Sequence, residues 1–180
     1  MPVTPVTPVT PVTLVTLVTG VLDDLLIYKL PEDYRPGSDV LSKNVAKHQV
    51  VIDLVTKSLL NVADNTYCIA PTEWPDTMRC DVLFLPRLAL ERDLPPIILE
   101  IQCTINQDYM NRAIQYCLYA YRVYKKLPIL MTICIEKVSP SSLMDTFKSC
   151  VEQQLMYEMP CAFWANRCLL LLSWTKCFPS

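Results

Sequence analysis

Proline is the feature that most constrains the fold of this chain. The sequence contains 15 Pro and only two Gly among 180 residues, so its turns depend on Pro, Asn and Asp. Proline cannot donate to a sheet ladder and disrupts a helix interior, so prolines bound short elements. Between these bounds, β-rich or apolar runs predict five strands, and apolar residues at helical spacing predict three helices.

The predicted elements alternate in a way that indicates the fold class. Their order is helix, three strands, helix, strand, helix, strand, which is typical of a mixed sheet flanked by helices, an α/β or α+β domain. Antiparallel pairing of the first three strands is the simplest arrangement. The predicted strands are 66–70, 79–85, 96–103, 129–136 and 167–174, and the predicted helices are 42–60, 106–126 and 139–157.

The N-terminal segment is a tandem repeat. Residues 2–13 contain four copies of Pro-Val-Thr, and residues 14–19 contain two copies of Leu-Val-Thr. A proline at every third position favours extended, polyproline-like backbone without internal hydrogen bonds. We therefore expect residues 1–19 to be a disordered low-complexity segment, 20–41 a linker or peripheral segment, and 42–175 one domain.

Composition excludes several classes of protein. A hydrophobic fraction of 52% excludes an intrinsically disordered chain. The formal net charge of −2 argues against a strongly basic nucleic-acid binder, although it leaves a local basic patch open. No membrane span is expected, because the longest uncharged stretch, residues 2–22, carries four Pro and six Thr. That stretch also lacks the basic start of a signal peptide, so an intracellular, reducing compartment is expected.

The nine cysteines are predicted to be reduced thiols. They are scattered without a Cys-x-x-Cys pair, which argues against a zinc finger or ribbon, and most are expected to be small buried hydrophobic residues. With only Gly20 and Gly37, the chain also lacks the glycine-rich loops that bind nucleotide phosphates.

A carboxylate in the middle of an apolar strand is the first candidate for chemistry. In the predicted strand 96–103, alternation places Ile98, Glu100 and Gln102 on one face. Burying a carboxylate is costly unless something pairs with it. Asp81 belongs to the preceding strand, and the connection can bring it beside Glu100. Two such carboxylates repel each other unless a cation or a shared proton joins them.

The helix that follows this strand carries a polar face and a separate apolar arc. If the helix lies beside the strand, its polar side chains approach the carboxylates; the alternative is a solvated helix face. The polar face comprises Arg112, Gln115, Tyr119, Arg122 and Lys126, and the apolar arc comprises Met110, Ala113, Ile114, Cys117, Tyr121 and Tyr124.

Three features in order resemble the PD-(D/E)xK phosphodiesterase superfamily: an Asp, a Glu-x-Lys motif on the next strand, and a helix with Gln-x-x-x-Tyr. In this sequence they correspond to Asp81, to Glu100-x-Gln102 with Gln in place of Lys, and to Gln115 and Tyr119. Residues 98–104 and 112–121 are most similar to its Rpn-type, transposase-associated branch, and the Gln-x-x-x-Tyr step resembles RecB-like nucleases. The resemblance covers roughly residues 42–136. It implies a restriction-endonuclease-like αβββαβ core flanked by helices, and a nuclease that cleaves DNA phosphodiesters with Mg²⁺ or Mn²⁺.

The resemblance also implies roles for individual residues. Asp81 and Glu100, with the backbone carbonyl of Ile101, would bind the metal ion, and Gln102 would orient the attacking water. Gln115 and Tyr119 would hydrogen-bond the phosphate or brace the carboxylates, whereas Arg112 and Arg122 would contact the nucleic-acid backbone. A DNA substrate would in turn imply the nucleus or nucleoid.

Two departures from the family pattern keep alternatives open. Gln102 stands where the family has a lysine and cannot offer an ammonium charge, and Cys80 replaces the proline before Asp81. The alternative is a catalytically inactive domain that serves as a nucleic-acid or protein interaction module; a third is a domesticated mobile-element product. Asp53, the acidic residue of the first helix, is left out of the site because Lys57 at i+4 predicts a surface ion pair.

Overall fold

The computed structural model describes residues 39–74, 78–87, 93–150 and 156–172. The predictions for the tandem repeat and for residues 20–38 lie outside these ranges. The same holds for residues 151–155 of the last predicted helix and for residues 173–174 of the last predicted strand.

The described residues form four helices and one seven-stranded sheet. The helices are α1 (Asp39–Ala46), α2 (Gln49–Leu60), α3 (Gln107–Tyr124) and α4 (Ser141–Met144). The strands are β1 (Tyr67–Ala70), β2 (Val82–Pro86), β3 (Ile97–Ile105), β4 (Ile129–Val138), β5 (Lys148–Ser149), β6 (Met156–Met159) and β7 (Arg167–Leu172).

The sheet is mixed, with strand order β1-β2-β3-β4-β7-β6-β5. Strands β1, β2 and β3 pair antiparallel, as predicted. Strand β4 is parallel to both β3 and β7, and β6 and β5 complete the other side with antiparallel pairs. The predicted mixed α and β fold class is confirmed.

Helices pack against both faces of the sheet, because the central strands are apolar on both sides. Ile98 of β3 belongs to the cluster that includes the buried face of α3. Ile97 and Leu99 of the same strand belong to the cluster that includes α1 and α2. This alternation explains the nearly continuous apolar runs of β3 and β4. It also means that a polar residue in the first half of β3, such as Glu100, is enclosed by protein.

Capping and packing fix the position of α3. The side chain of Asn106 accepts a hydrogen bond from the Tyr109 N–H at 2.8 Å, a cap that satisfies an otherwise unpaired donor of the first turn. The helix ends at Tyr124, and the next residue, Lys125, caps it in a left-handed conformation (φ 57°) with its N–H bonded to the Tyr121 carbonyl. Ala113 and Ala120 are fully buried, so the helix can lie close to the sheet.

Two predicted helices differ from the structure. The predicted helix 42–60 is two helices, α1 and α2, because the chain leaves helical geometry at His48, which is extended and exposed. The predicted helix 139–157 is wrong: helix α4 ends at Met144, and β5 and β6 follow. Strand β6 pairs with β7 and buries Met156, and this non-local pairing overrides the local helical pattern.

Eight of the nine cysteines lie within the described ranges, and all eight are free thiols. Five of them are buried, in agreement with their expected role as small hydrophobic residues. Within the described part of the chain, no helix combines the length and the apolar character needed to cross a membrane.

Candidate functional site

The hairpin of β2 and β3 brings two carboxylates together. Asp81 lies immediately before β2, and Glu100 lies in the middle of β3. Val82 pairs with Leu99, so the antiparallel register places Asp81 opposite Glu100. The juxtaposition that strand alternation predicts is therefore present.

Main-chain groups connect the two carboxylates directly. The Asp81 N–H donates to Glu100 Oε1 at 2.8 Å, and the Ile101 N–H donates to Asp81 Oδ2 at 3.0 Å. Each carboxylate thus accepts a hydrogen bond from the backbone of the other strand. This reciprocal arrangement fixes both side chains relative to the sheet.

Gln102 is the third predicted residue that the structure brings to this position. It lies two residues after Glu100, on the same face of β3, and its Nε2 donates to Glu100 Oε2 at 3.2 Å. This amide orientation suits an ionised Glu100, which accepts the hydrogen bond. If Glu100 is protonated, rotation of the amide would let the Gln102 oxygen accept a hydrogen bond from the Glu100 carboxyl instead.

Sequence reasoning missed the cation of the site, Lys43. Its Nζ lies 2.8 Å from Asp81 Oδ1, and the two side chains are 29% and 11% exposed. The sequence indicates only that Lys43 belongs to the polar side of the first helix. Pairing with Asp81 depends on how α1 packs against the strands, which no local pattern reveals.

Burial and charge place Glu100 in an unusual protonation state. The side chain is 2% exposed, and its burial, followed by the charge of Asp81, raises the pKa of Glu100 from 4.5 to about 8. The Asp81 N–H, Lys43 and Gln102 oppose this shift. The site therefore has too little positive charge for two ionised carboxylates, and either a proton or a further cation can compensate.

A buried pair of hydroxyl groups lies near Glu100. Thr132 of β4 is its register partner, and Thr132 Oγ1 and the Tyr109 hydroxyl form a buried hydrogen bond of 2.6 Å. Burial raises the pKa of Tyr109, and Glu100 adds to the shift. Burial and Glu100 likewise raise the pKa of Tyr116, while the Arg112 guanidinium opposes the change. Tyr109 and Tyr116 are thus two α3 side chains that the field of Glu100 reaches, and sequence reasoning missed both.

The rotation of α3 differs from the predicted one. Its buried stripe comprises Tyr109, Met110, Ala113, Tyr116, Cys117 and Ala120. The assignment of Tyr121 to the apolar arc is wrong, because this side chain is 46% exposed. The reason is that the small and aromatic residues of this stripe pack on the sheet, whereas Tyr121 lies outside the stripe.

The remaining predicted residues lie on α3. Gln115 is exposed, and in the described part of the chain no hydrogen bond joins its side chain to either carboxylate. Tyr119 is half-buried and stacks on Trp74, with ring centroids 6.0 Å apart. Arg122 is exposed, and its guanidinium carbon lies 5.3 Å from the centre of the Tyr119 ring. Arg112 is also exposed and lies over the ring of Tyr109 at 5.9 Å.

Asp53 is separate from this site, but its predicted partner is wrong. Its Oδ1 accepts hydrogen bonds from Gln49 Nε2 and from the Asn65 N–H, both at 2.8 Å. Lys57 instead contacts Asp64, with 3.5 Å between Nζ and Oδ1. Asp53 therefore connects the start of α2 to the loop before β1.

The donor set at the carboxylate pair suits a hard divalent cation. Within the described ranges, no cluster of three or more His, Cys, Asp or Glu side chains forms a metal site. Asp81 and Glu100 supply carboxylate oxygens, to which waters would add, and Mg²⁺ commonly binds through one or two carboxylates plus water. The raised pKa of Glu100 indicates the deficit of positive charge that such an ion would offset.

Comparison with known proteins yields no match to a family model, to a curated protein or to a solved structure. The interpretation of the site therefore depends on its geometry and its charges.

Proposed function

We propose that this chain is a metal-dependent DNA nuclease with a restriction-endonuclease-like αβββαβ core. The observed order of α2, β1, β2, β3, α3 and β4 supports this proposal, as does the mixed sheet. The observation that carries it is the buried pair of Asp81 and Glu100, which lies beside a lysine and has too little positive charge.

In the proposed reaction, water hydrolyses one phosphodiester bond. The water oxygen forms a new bond to phosphorus, and one ester P–O bond breaks with its electron pair passing to the leaving sugar oxygen. The attacking water loses a proton to solvent, and the leaving oxygen takes one up. The products are a phosphomonoester end and a hydroxyl end.

The residues of the site would divide this work between them. Asp81, Glu100 and the Ile101 carbonyl would bind Mg²⁺ or Mn²⁺, which supplies positive charge to the phosphate and lowers the pKa of a bound water. Gln102, whose amide lies 3.2 Å from Glu100, would orient the attacking water. Tyr109 lies on the enclosed side of Glu100, where it helps to exclude other water.

Substrate binding would involve the exposed side of α3. Arg112 and Arg122 are both exposed and both lie over tyrosine rings, which limits their motion while their charges stay accessible. They would contact phosphates of the DNA backbone. Gln115 and Tyr119 lie on the same helix and would hydrogen-bond the phosphate.

The test is cleavage of supercoiled and linear DNA by the purified chain with Mg²⁺ or Mn²⁺. Asp81→Asn and Glu100→Gln should each lower the cleavage rate by at least about 100-fold, because each removes a charge that binds the metal ion. The matched control is Asp64→Asn, which removes an exposed carboxylate that pairs with Lys57 outside the site. If folded Asp81→Asn protein cuts DNA as fast as Asp64→Asn protein, the proposal is wrong.

A second candidate, a catalytically inactive interaction module, has its own supporting observation. Every oxygen of the carboxylate pair has a protein partner. Asp81 Oδ1 contacts Lys43, Asp81 Oδ2 accepts from Ile101, Glu100 Oε1 accepts from Asp81, and Glu100 Oε2 accepts from Gln102. A proton on Glu100 Oε2, donated to the Gln102 amide oxygen after the amide rotates, would complete this closed network without metal. Absence of Mn²⁺ binding by the wild-type protein would favour this candidate over the nuclease.

A further inference from the structure

We propose that a cleft at the β5 edge of the sheet binds a small organic monoanion, a carboxylate attached to an apolar body. The cleft is formed by β5, β6 and the connection from β6 to β7, and its volume is about 450 Å³. Strands β4 and β7 separate β3 from β6 in the sheet, so this cleft is separate from the pair of Asp81 and Glu100. The inference therefore does not depend on the proposed nuclease function.

The size and the walls of the cleft suit a small molecule. Ligand cavities in proteins commonly measure about 300–1,000 Å³ and combine apolar walls with a few polar groups. One wall of this cleft is apolar and consists of Met159, Pro160 and Ala162. Pro160 and Ala162 are exposed, so this wall is open to solvent and can cover the apolar part of a ligand.

The charges beside the cleft leave one ammonium group unbalanced. Lys148 and Glu158 both line the cleft, and they are register partners on β5 and β6. Both oxygens of Glu158 are already bonded to Arg167, from Nε to Oε1 at 3.0 Å and from Nη2 to Oε2 at 2.9 Å. Among the residues that the structure describes, Lys148 forms no ion pair. Its positive charge is therefore available to a ligand.

The same charges set the charge of the ligand. Hydrogen bonding to Arg167 lowers the pKa of Glu158, so this carboxylate stays ionised at neutral pH and remains paired with Arg167. Lys148 and Arg167 carry two positive charges and Glu158 one negative charge, which leaves a net charge of +1. A monoanion neutralises this charge, whereas a dianion would leave an excess negative charge beside Glu158.

Neutral donors add to the ammonium group. Ser149 and Asn166 line the cleft and are exposed, and in the described part of the chain neither side chain forms a hydrogen bond. The backbone holds both elements in place, since the Asn166 N–H donates to the Pro128 carbonyl at 2.8 Å and the Cys150 N–H donates to the Met156 carbonyl at 2.8 Å. A carboxylate has about four acceptor positions, enough for an ammonium, a hydroxyl and an amide.

The experiment uses benzoate as the probe. Benzyl alcohol has a similar size without the charge, and acetate has the charge without the ring. Binding is followed in ¹H–¹⁵N spectra of the wild type at the backbone amides of Lys148, Glu158 and Asn166. Benzoate should shift these signals saturably, with a dissociation constant of about 1 mM or lower. Each of the other two probes should bind at least about threefold more weakly, because each lacks one of the two parts that the cleft contacts.

Substitutions of Lys148 test the role of its charge. Lys148→Met should weaken benzoate binding about threefold or more and leave benzyl alcohol binding unchanged, and added salt should reduce the difference between the variant and the wild type. Lys148→Arg keeps the charge and should still prefer benzoate to benzyl alcohol. The matched control is Lys137→Met, which removes an exposed lysine of β4 outside the cleft and should bind all three probes like the wild type.

Three results would overturn the inference. The first is equal affinity of the wild type for benzoate and benzyl alcohol, and the second is benzoate binding by Lys148→Met that equals binding by Lys137→Met. The third is the absence of a saturable benzoate shift in folded wild-type protein. None of these results bears on the nuclease proposal, which is tested at Asp81 and Glu100.

Discussion

The Asp81 N–H donates a 2.8 Å hydrogen bond to Glu100 Oε1, which connects the start of β2 to a carboxylate buried in the central sheet. The same two residues repel each other electrostatically, since Asp81 helps to raise the pKa of Glu100 to about 8. This bond and the reciprocal bond from the Ile101 N–H to Asp81 Oδ2 therefore hold together two carboxylates whose charges repel each other. Lys43 offsets part of this repulsion, and a proton on Glu100 or a further cation would offset more of it.

The first prediction concerns stability as a function of pH. The pKa of Glu100 is about 8 in the folded protein and 4.5 as its ordinary value, so between these values the folded state binds more protons than the unfolded state. Stability should therefore fall as pH rises from about 5 to 8, by an amount on the order of a few kcal/mol. Urea unfolding at a series of pH values measures this effect.

Glu100→Gln should remove most of that pH dependence, because glutamine resembles the protonated carboxyl in shape and charge. The variant should also be more stable than the wild type near pH 8. The matched control is Glu136→Gln, an exposed residue of β4 that should leave the pH profile unchanged. An unchanged profile in Glu100→Gln would contradict the raised pKa of Glu100.

The second prediction concerns the buried hydroxyl pair beside the site. Tyr109→Phe removes one partner of the 2.6 Å bond and leaves Thr132 Oγ1 buried without it. We expect a loss of about 1–3 kcal/mol in the free energy of unfolding. Thr132→Val added to Tyr109→Phe should recover part of that loss, because both polar groups are then gone. Simple additivity of the two single variants in a double-mutant cycle would show that the hydroxyls are not coupled.

The third prediction concerns the ion pair that joins β6 to β7. Arg167 and Glu158 form a two-bonded contact, with Nε to Oε1 at 3.0 Å and Nη2 to Oε2 at 2.9 Å. Arg167→Lys cannot reproduce both bonds and should lower stability, by about 1 kcal/mol or less because both side chains are more than a third exposed. The measurement is the thermal unfolding midpoint of Arg167→Lys. The control is Arg79→Lys, because Arg79 is exposed and its contact to Glu73 is long, at 3.9 Å.

The sign of the pH effect at this contact is opposite to that at Glu100. Hydrogen bonding to Arg167 lowers the pKa of Glu158. The contact therefore contributes stability above the ordinary pKa of a glutamate, and this contribution is lost as pH falls through the lowered value. A difference between wild type and Glu158→Gln that grew on acidification would contradict this assignment.

The sequence was sufficient to predict the carboxylate pair because the evidence for it is local. Strand alternation fixes the face of Glu100, and antiparallel pairing of two consecutive strands places Asp81 opposite it. Lys43 could not be predicted in the same way, because its contact depends on where α1 packs. The rotation of α3 was missed since Tyr109 and Tyr116 are buried by tertiary packing, which polar character alone does not reveal.

The same distinction explains the error after β4. The segment that follows β4 has helical spacing, but β6 pairs with β7, and that partner lies farther along the chain. Helical spacing is a local signal, and strand pairing overrides it where that pairing decides the element. Strands β5, β6 and β7 are neighbours both in the chain and in the sheet, so it is their pairing that outweighs the helical spacing.

The most direct test of the central claim is a calorimetric titration of Mn²⁺ into wild-type protein, Asp81→Ala and Asp64→Asn. If Asp81 and Glu100 form a metal site, the wild type and Asp64→Asn should bind Mn²⁺ and Asp81→Ala should not. Absence of binding in the wild type, or equal binding in all three proteins, would contradict the account.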